Sequence, residues 1–292
     1  TDKIKVRRID NKMLPKPSSQ TFPSQLEGSN SRSKSPTLPR ALIVGHHVVE
    51  EPNLGVRKTM EDFTIVEEDI LKDGRFSVYI VLDGHGGDEV VKLVKAQYPE
   101  IVKKVFPKHK GEPNMKSAIS ESLKILDENI LKSELRDCGT TFCGLFIDKV
   151  SKACVAVNIG DSRMLRGLPA TFITSEHKVS NETEVKRIKK MGGEIFNGRV
   201  AGTLLVTRSL GDLEMRPYGL SSEPELISFN AKPGIYAIAS DGIWDNIDTK
   251  TFDEIATKFA GKSLDKLSNA LVTTAIDKGS MDNISLILIV MK

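Results

Sequence analysis

The chain has 292 residues, enough for one large domain or two ordinary ones and long enough to bury a sizeable core. With 39% apolar and 28% charged residues its balance is that of a globular chain, neither disordered nor membrane-embedded. The longest apolar runs, Ala41–Val44, Ile80–Leu82 and Leu286–Met291, fall far short of the roughly 20 residues that cross a bilayer, so no transmembrane segment is expected.

The net charge of +3 hides an asymmetry. Residues 1–40 carry nine Lys or Arg and three acids, and the remainder carries 33 basic and 36 acidic residues. The basic charges are scattered without interleaved aromatics, which suits a solvated arm better than a nucleic-acid or lipid contact. No apolar core of a secretory signal follows them. Pro15, Pro17, Pro23, Pro36 and Pro39 alternate with Ser18, Ser19, Ser31, Ser33 and Ser35, a composition that reads as tail or linker. The expected organisation is a tail over 1–40 and one domain over 41–292.

From Ala41 onward the pattern is mixed. Phe63–Val66 is strand-like, and Phe76–Leu82 is a β-rich run ending in the turn Asp83-Gly84-His85-Gly86-Gly87. A helix-like stretch runs on to about Val105. Another spans Met115 to Lys132, with Ile119, Leu123, Leu126 and Ile130 on one face. Strands are predicted over Gly139–Ile147, Ala153–Ile159 and Met164–Arg166. Glu182–Met191 reads as a short helix stopped by Gly192-Gly193. A strand over Ile235–Ser240, helices over Thr249–Phe259 and Leu264–Asp277, and a strand over Ile284–Met291 complete the chain. Runs of strands with segregated pairs of helices predict an α+β domain, with helices packed on antiparallel sheets.

Several acids share one local context. Asp83 follows Phe76–Leu82 and precedes glycine; Asp241 follows Ile235–Ser240 and precedes Gly242; Asp161 follows Ala153–Ile159 and Gly160. Asp282 stands just before the last strand, and Glu61 and Asp62 open Phe63–Val66. Acids at strand ends beside glycine are expected at a sheet rim with access to solvent. Hard divalent cations such as Mg²⁺ and Mn²⁺ take such oxygen ligands, whereas a set without His or Cys argues against zinc. Each acid alone is more often a turn residue than a ligand. Arg57 lies four residues before Glu61, and a guanidinium beside metal ions is suited to holding a phosphate dianion. His85 lies in the glycine turn next to Asp83 and titrates in the range useful for proton donation to an alkoxide. The three cysteines, Cys138, Cys143 and Cys154, form no ligand spacing with His and read as buried thiols of a reduced compartment. His46, His47 and His177 read as structural or exposed.

Taken in order, these segments resemble the metal-dependent, type 2C family of protein serine/threonine phosphatases over about residues 42–292. Arg57-Lys58-Thr59-Met60-Glu61-Asp62 is similar to the family's first motif, and Asp83-Gly84-His85-Gly86-Gly87 is the most diagnostic. Gly139-Thr140-Thr141, Gly160-Asp161-Ser162-Arg163 and Glu176-His177-Lys178 follow, then Arg187-Ile188, Gly192-Gly193 and Arg199-Val200. Thr207-Arg208-Ser209-Leu210-Gly211-Asp212, Glu223-Pro224-Glu225, Ala239-Ser240-Asp241-Gly242-Ile243-Trp244-Asp245 and Asp282-Asn283 close the set.

The resemblance implies two packed antiparallel β-sheets flanked by helices on both sides, a four-layer αββα sandwich. It implies two Mg²⁺ or Mn²⁺ ions, with Asp83 bridging them, Asp241 and Asp282 completing one, and Glu61 with the Gly84 carbonyl holding the other, Asp62 in support. Asp161 and Asp245, with Asp241, would form a weaker third site. Arg57 would bind the phosphoryl oxygens and His85 would be the acid. Water activated between the ions would hydrolyse phosphoserine and phosphothreonine on protein substrates without a protein nucleophile. Two departures border the flap segment, about residues 178–205, and bear on substrate choice. The family's Asp-His-Lys-Pro is Glu176-His177-Lys178-Val179 here, and its Ser-Arg-Ala is Thr207-Arg208-Ser209. The rival readings are a pseudophosphatase binding module on the same fold and a metal-dependent phosphodiesterase; retention of Asp83, Asp241 and Asp282 argues against the first, and the scarcity of His against the second. The remaining expectations are an intracellular protein, cytoplasmic or nuclear, monomeric, with phosphoprotein partners and no nucleic acid.

Overall fold

The computed structural model describes residues 42–109 and 112–292, so the Ser/Pro-rich tail expected over 1–40 lies outside the described residues. Two five-stranded antiparallel sheets form its centre. In the first the strand order is β1 (Ile43–Glu51), β15 (Ile284–Met291), β14 (Gly234–Ala239), β8 (Arg163–Gly167) and β9 (Thr171–Phe172). In the second it is β13 (Glu225–Asn230), β7 (Ala153–Ile159), β6 (Phe142–Asp148), β3 (Phe76–Leu82) and β2 (Phe63–Glu67). A small sheet orders β12 (Leu210–Gly211), β5 (Gly139–Thr140) and β4 (Gly84–His85), and β10 (Ile195–Phe196) pairs with β11 (Arg199–Val200).

The alternation of side chains along the strands builds the layers. In β3, Val78, Ile80 and Leu82 face one side, where they pack with Val90, Val94 and Val102 of α1 (Glu89–Val105) and Ile119, Leu126 and Ile130 of α2 (Glu112–Lys132). Tyr79 and Val81 face the other side and meet Ile287, Ile289, Tyr236 and Ile238 of the opposing sheet. In β15, Leu286 and Leu288 turn outward onto Trp244 of α4 (Asp241–Trp244), Phe252 of α5 (Thr249–Lys258) and Leu267 and Leu271 of α6 (Leu264–Asp277). Both faces of the central strands are therefore dry, which is why they read as continuous apolar runs instead of alternating ones. The αββα sandwich expected from the resemblance is the observed architecture. Among the described residues no helix is long and apolar enough to cross a membrane.

The structure redraws several expected elements. The run Gly139–Ile147 is two strands, because the chain changes sheets at Thr141, whose N–H donates to the Asp83 carbonyl at 2.9 Å instead of to either ladder. Strands β1 and β13 had no clear sequence signal. In β1 the apolar run is broken by Gly45, His46 and His47, yet it pairs with β15 from Ile43 to Glu51 across a bulge. Strand β13 is a sheet edge whose side chains are half-buried or exposed, so it lacks the apolar density of its neighbours. The segment expected as a flap folds as α3 (Glu182–Lys190), capped by the Asn181 side chain accepting from the Thr183 N–H at 3.0 Å, and the β10–β11 hairpin. That hairpin turns through Asn197 and Gly198, both with positive φ as a two-residue turn of this kind requires.

Candidate metal centre

Asp83 leaves β3 at the rim shared by the large and small sheets. Its backbone is held from both sides: its N–H donates to the Thr141 hydroxyl at 3.1 Å, and its carbonyl accepts from the Thr141 N–H at 2.9 Å and the Thr140 hydroxyl at 3.1 Å. Gly84 follows because nothing larger fits: a Cβ there would lie 2.5 Å from the Glu61 carbonyl oxygen, which instead accepts from the Gly84 N–H at 3.2 Å. This contact sets the start of β2 against the end of β3 and brings Glu61 beside Asp83.

The C-terminal strand is tied to the same corner by two asparagines. The Asn283 side chain accepts from the Glu61 N–H at 2.9 Å and donates to the carbonyls of Pro52 at 2.8 Å and Thr59 at 3.0 Å. The Asn53 side chain donates to the carbonyls of Ser280 at 2.9 Å and Asp282 at 3.1 Å. Together they seat the loop carrying Arg57 against the loop carrying Asp282. The half-exposed Arg57 guanidinium pairs with the Asp282 carboxylate, and its Nε donates to the Met281 carbonyl at 3.1 Å.

Asp83, Asp161 and Asp241 each offer an oxygen within 4.8 Å of the others, close enough for one ion to reach all three. The other expected ligands stand around this cluster with other partners. Asp62 lies behind it, fully buried, accepting from the Ser240 hydroxyl at 2.8 Å. Glu61 accepts from the Thr59 hydroxyl at 2.9 Å. Asp282 accepts from the Asn283 N–H at 2.7 Å as well as from Arg57. Asp245 and Asp161 share the Lys178 ammonium, which lies 3.2 Å from Asp161, 3.2 Å from Glu176 and 3.4 Å from Asp245. The expectation of solvent access at the rim is corrected for two acids: Asp62 and Asp161 are buried, because Ser240, Ser285 and the Lys178 side chain close over the strand ends.

Crowding raises these carboxyls. Burial, with Asp161, Asp282 and Asp245 nearby, pushes Asp241 up to about 8. Burial, with Asp62, Asp241, Asp161 and Asp282 nearby, holds Asp83 well above the carboxylate range. Burial lifts Asp62 to about 7 against the pull of its Ser240 hydrogen bond, and burial also raises Asp161 despite Lys178. Like charges confined in a low-dielectric cleft cannot all ionise by themselves, and a divalent cation removes that penalty. An all-oxygen set of this kind fits Mg²⁺ or Mn²⁺.

His85 stands apart from the acids, its Nε2 2.7 Å from Asp212 Oδ2. Burial lowers its pKa, but the Asp212 hydrogen bond and charge, with the Asp161 and Glu61 charges, outweigh burial, so the net shift is upward. Glu184 of α3 is buried and accepts from Arg187 at 2.9 Å, Arg208 at 2.6 Å and the Thr207 hydroxyl at 2.9 Å, which anchors α3 to the segment before β12. His177 is buried, its Nδ1 accepting from the Gly160 N–H at 3.1 Å, and burial with Arg208 nearby lowers it to about 4. Asp212, Asn53, Asn283 and Lys178 were not singled out by sequence reasoning. Three of them lie within recognised motifs, but Asp212 meets His85, Asn283 meets Glu61 and Lys178 meets Asp245 across long stretches of chain that no local spacing announces.

A two-sheet sandwich with helices on both faces and a carboxylate-lined cleft at one sheet rim is the framework these observations define. The chain belongs to the protein phosphatase 2C family, whose model matches residues 47–284. It is similar to the protein phosphatase fem-2 of Caenorhabditis elegans, 30% identical over 227 residues that cover 73% of this chain and 50% of that protein. It is 32% identical over 253 residues to the probable protein phosphatase 2C 30 of Arabidopsis thaliana, covering 80% of this chain and 64% of that one. A solved structure of a C. elegans sex-determining protein superposes with a TM-score of 0.75 at 26% identity, covering 85% of this chain and 65% of that chain. A serine-threonine phosphatase 2C from Toxoplasma gondii shares the fold, with a TM-score of 0.65 at 19% identity over 88% of this chain and 97% of that one. The chain spans about half the length of the first curated relatives it matches.

Proposed function

We propose that residues 41–292 form a catalytic domain that hydrolyses phosphoserine and phosphothreonine monoesters on protein substrates, using two Mg²⁺ or Mn²⁺ ions. The observation that carries this reading is the convergence of Asp83, Asp161 and Asp241 within 4.8 Å, in a chain of the protein phosphatase 2C family. Asp83, Asp241, Asp282, Glu61 and the Gly84 carbonyl would hold the ions, with Asp62 behind them; Asp161 and Asp245, with Asp241, would offer a weaker third position, where Lys178 now pairs with Asp161 and Asp245. When bound, the ions supply an acidified water and neutralise charge on the phosphoryl oxygens.

Arg57 would bind those oxygens, a role supported by its half-exposed guanidinium, which among the described residues pairs with the Asp282 carboxylate and donates to the Met281 carbonyl. A serine or threonine alkoxide is a poor leaving group. His85, held by Asp212 and raised in pKa, donates the proton that the departing oxygen takes as the P–O bond breaks. The buried cysteines take no part: Cys143 and Cys154 sit inside the strand layers, where burial raises their thiols. The domain is further proposed to act as an intracellular monomer, with the basic segment 1–40 as a separate tail.

The test is phosphopeptide hydrolysis with Mn²⁺, with Mg²⁺ and after exhaustive chelation. Turnover should require either ion and vanish with chelator. Full turnover after chelation overturns the metal mechanism, and no turnover with either ion on any phosphopeptide leaves a binding module on this fold.

A further inference from the structure

Resting on the reading of His85 as the acid, the structure assigns Asp212 as the residue that orients its ring, and makes Nδ1 the nitrogen that delivers the proton. The small sheet creates the pair. In register, His85 lies opposite Gly139 on one side and Gly211 lies opposite Gly139 on the other. Asp212 follows Gly211, so ring and carboxylate meet over Gly139, the one residue that leaves room for them. A Cβ at Gly139 would lie 2.1 Å from Asp212 Oδ2 and 2.8 Å from His85 Nε2.

Asp212 is fixed in this place. It adopts a left-handed backbone with φ 45°, a region that few residues other than glycine, asparagine and aspartate enter. Its N–H donates to the Cys138 carbonyl at 3.0 Å and its carbonyl accepts from the Met215 N–H at 2.9 Å. Its Oδ2 accepts from the Ser209 hydroxyl as well as facing His85 Nε2, and the residue is 4% exposed. Ser209 stands where the family pattern quoted above has Ala, so this chain adds a donor to the carboxylate that holds the ring.

With Nε2 engaged by Asp212, Nδ1 is the ring nitrogen left for the substrate. In the step itself the Nδ1–H bond breaks, the proton joins the seryl or threonyl oxygen, and that oxygen takes the electron pair of the cleaved P–O bond while water oxygen bonds to phosphorus. The ring is left with its remaining proton on Nε2, hydrogen-bonded to Asp212. Asp212 contacts the ring and Ser209, and is a positioning residue acting through His85.

The test uses the full chain with saturating Mn²⁺ and compares kcat on a phosphopeptide with kcat on p-nitrophenyl phosphate, whose phenolate leaves without needing the proton. Asp212→Asn should slow the phosphopeptide about 10- to 100-fold, part of the effect typical of a general acid, and the aryl phosphate far less. The double variant Asp212→Asn/His85→Gln should be no slower on phosphopeptide than His85→Gln alone, because the two act as one unit. If Asp212→Asn slows both substrates equally, or its effect multiplies with that of His85→Gln, Asp212 supports the loop and the inference fails. If His85→Gln slows both substrates equally, the acid reading falls first and the orientation falls with it. Should Asp212→Asn not fold, Ser209→Ala must show the same substrate selectivity at about 2- to 5-fold, a fraction of the hydrogen bond it removes from the Asp212 carboxylate; equal slowing of both substrates overturns the inference.

Discussion

Replacing Asp241 by Asn separates the folding role of this carboxyl from its ligand role. Its pKa is about 8 in the folded chain, against 3.8 for an unstrained aspartate. An acid whose folded pKa is raised binds its proton more tightly folded than unfolded, so it destabilises the metal-free fold as pH rises from about 4 to 8. Linkage puts that cost at about 4 kcal/mol at pH 7 and about 1.5 kcal/mol at pH 5. Water in the cleft returns part of it, so Asp241→Asn should stabilise the metal-free protein at pH 7 by about 1–3 kcal/mol, roughly 2–10 °C in Tm for a domain of this size. At pH 5 the gain should shrink to under about half of that. With millimolar Mn²⁺ the order should invert, because only the wild type gains full binding energy from the ion. Thermal unfolding of both proteins at pH 5 and pH 7, with EDTA and with Mn²⁺, reads all of this. A variant less stable than wild type in EDTA at pH 7 would refute the argument that the carboxyls repel one another in the empty site.

Lys178→Met should strengthen binding of an additional Mn²⁺ by about tenfold or more, since it removes the ammonium that now serves Asp161, Glu176 and Asp245; an unchanged stoichiometry curve by Mn²⁺ electron paramagnetic resonance would count against it. Glu184→Gln should cost about 3 kcal/mol by denaturant unfolding, because it leaves the Arg187 and Arg208 guanidiniums facing a neutral partner in a buried site; a loss under about 1 kcal/mol would show that the cluster is not coupled to folding. His177 has a folded pKa of about 4, so the folded state resists its protonation and stability should be lost as pH falls from 6.5 toward 4. By linkage the loss attributable to it at pH 4 is about 3 kcal/mol, and His177→Gln should flatten the acid limb by that amount; identical limbs in the two proteins would refute the assignment.

Much of this molecule could be read from the chain alone, because the signals are local. The apolar runs Phe76–Leu82 and Ile284–Met291 are continuous since both strand faces are covered, and that continuity marks them as central strands. Asp83 and Asp241 stand where such runs end beside glycine, which is a statement about backbone neighbours and needs no partner. Helix α6 and the stop of α3 at Gly192 follow equally from periodicity and from a left-handed glycine. By contrast, the edge strand β13 and the broken strand β1 depend on ladders formed with residues far along the chain, so their own composition says little.

The same limit governs the site. Sequence order could name Asp161 and Asp245, but only the fold decides that Lys178 sits among them and that Asp161 shares a cluster with Asp83. Asp282 is a local feature; its pairing with Arg57, 225 residues earlier, is a product of the Asn53 and Asn283 clamps. Asp212 and His85 are 127 residues apart and meet only because the small sheet registers Gly211, Gly139 and His85 in one row. Which residue types lie at strand ends, in turns and on helix faces is legible in the chain, since those are set by nearest neighbours and by the period of the backbone. The tertiary structure alone decided which of them face one another and at what depth, and in a cleft of crowded carboxyls it is that proximity and burial which set the charge each group carries.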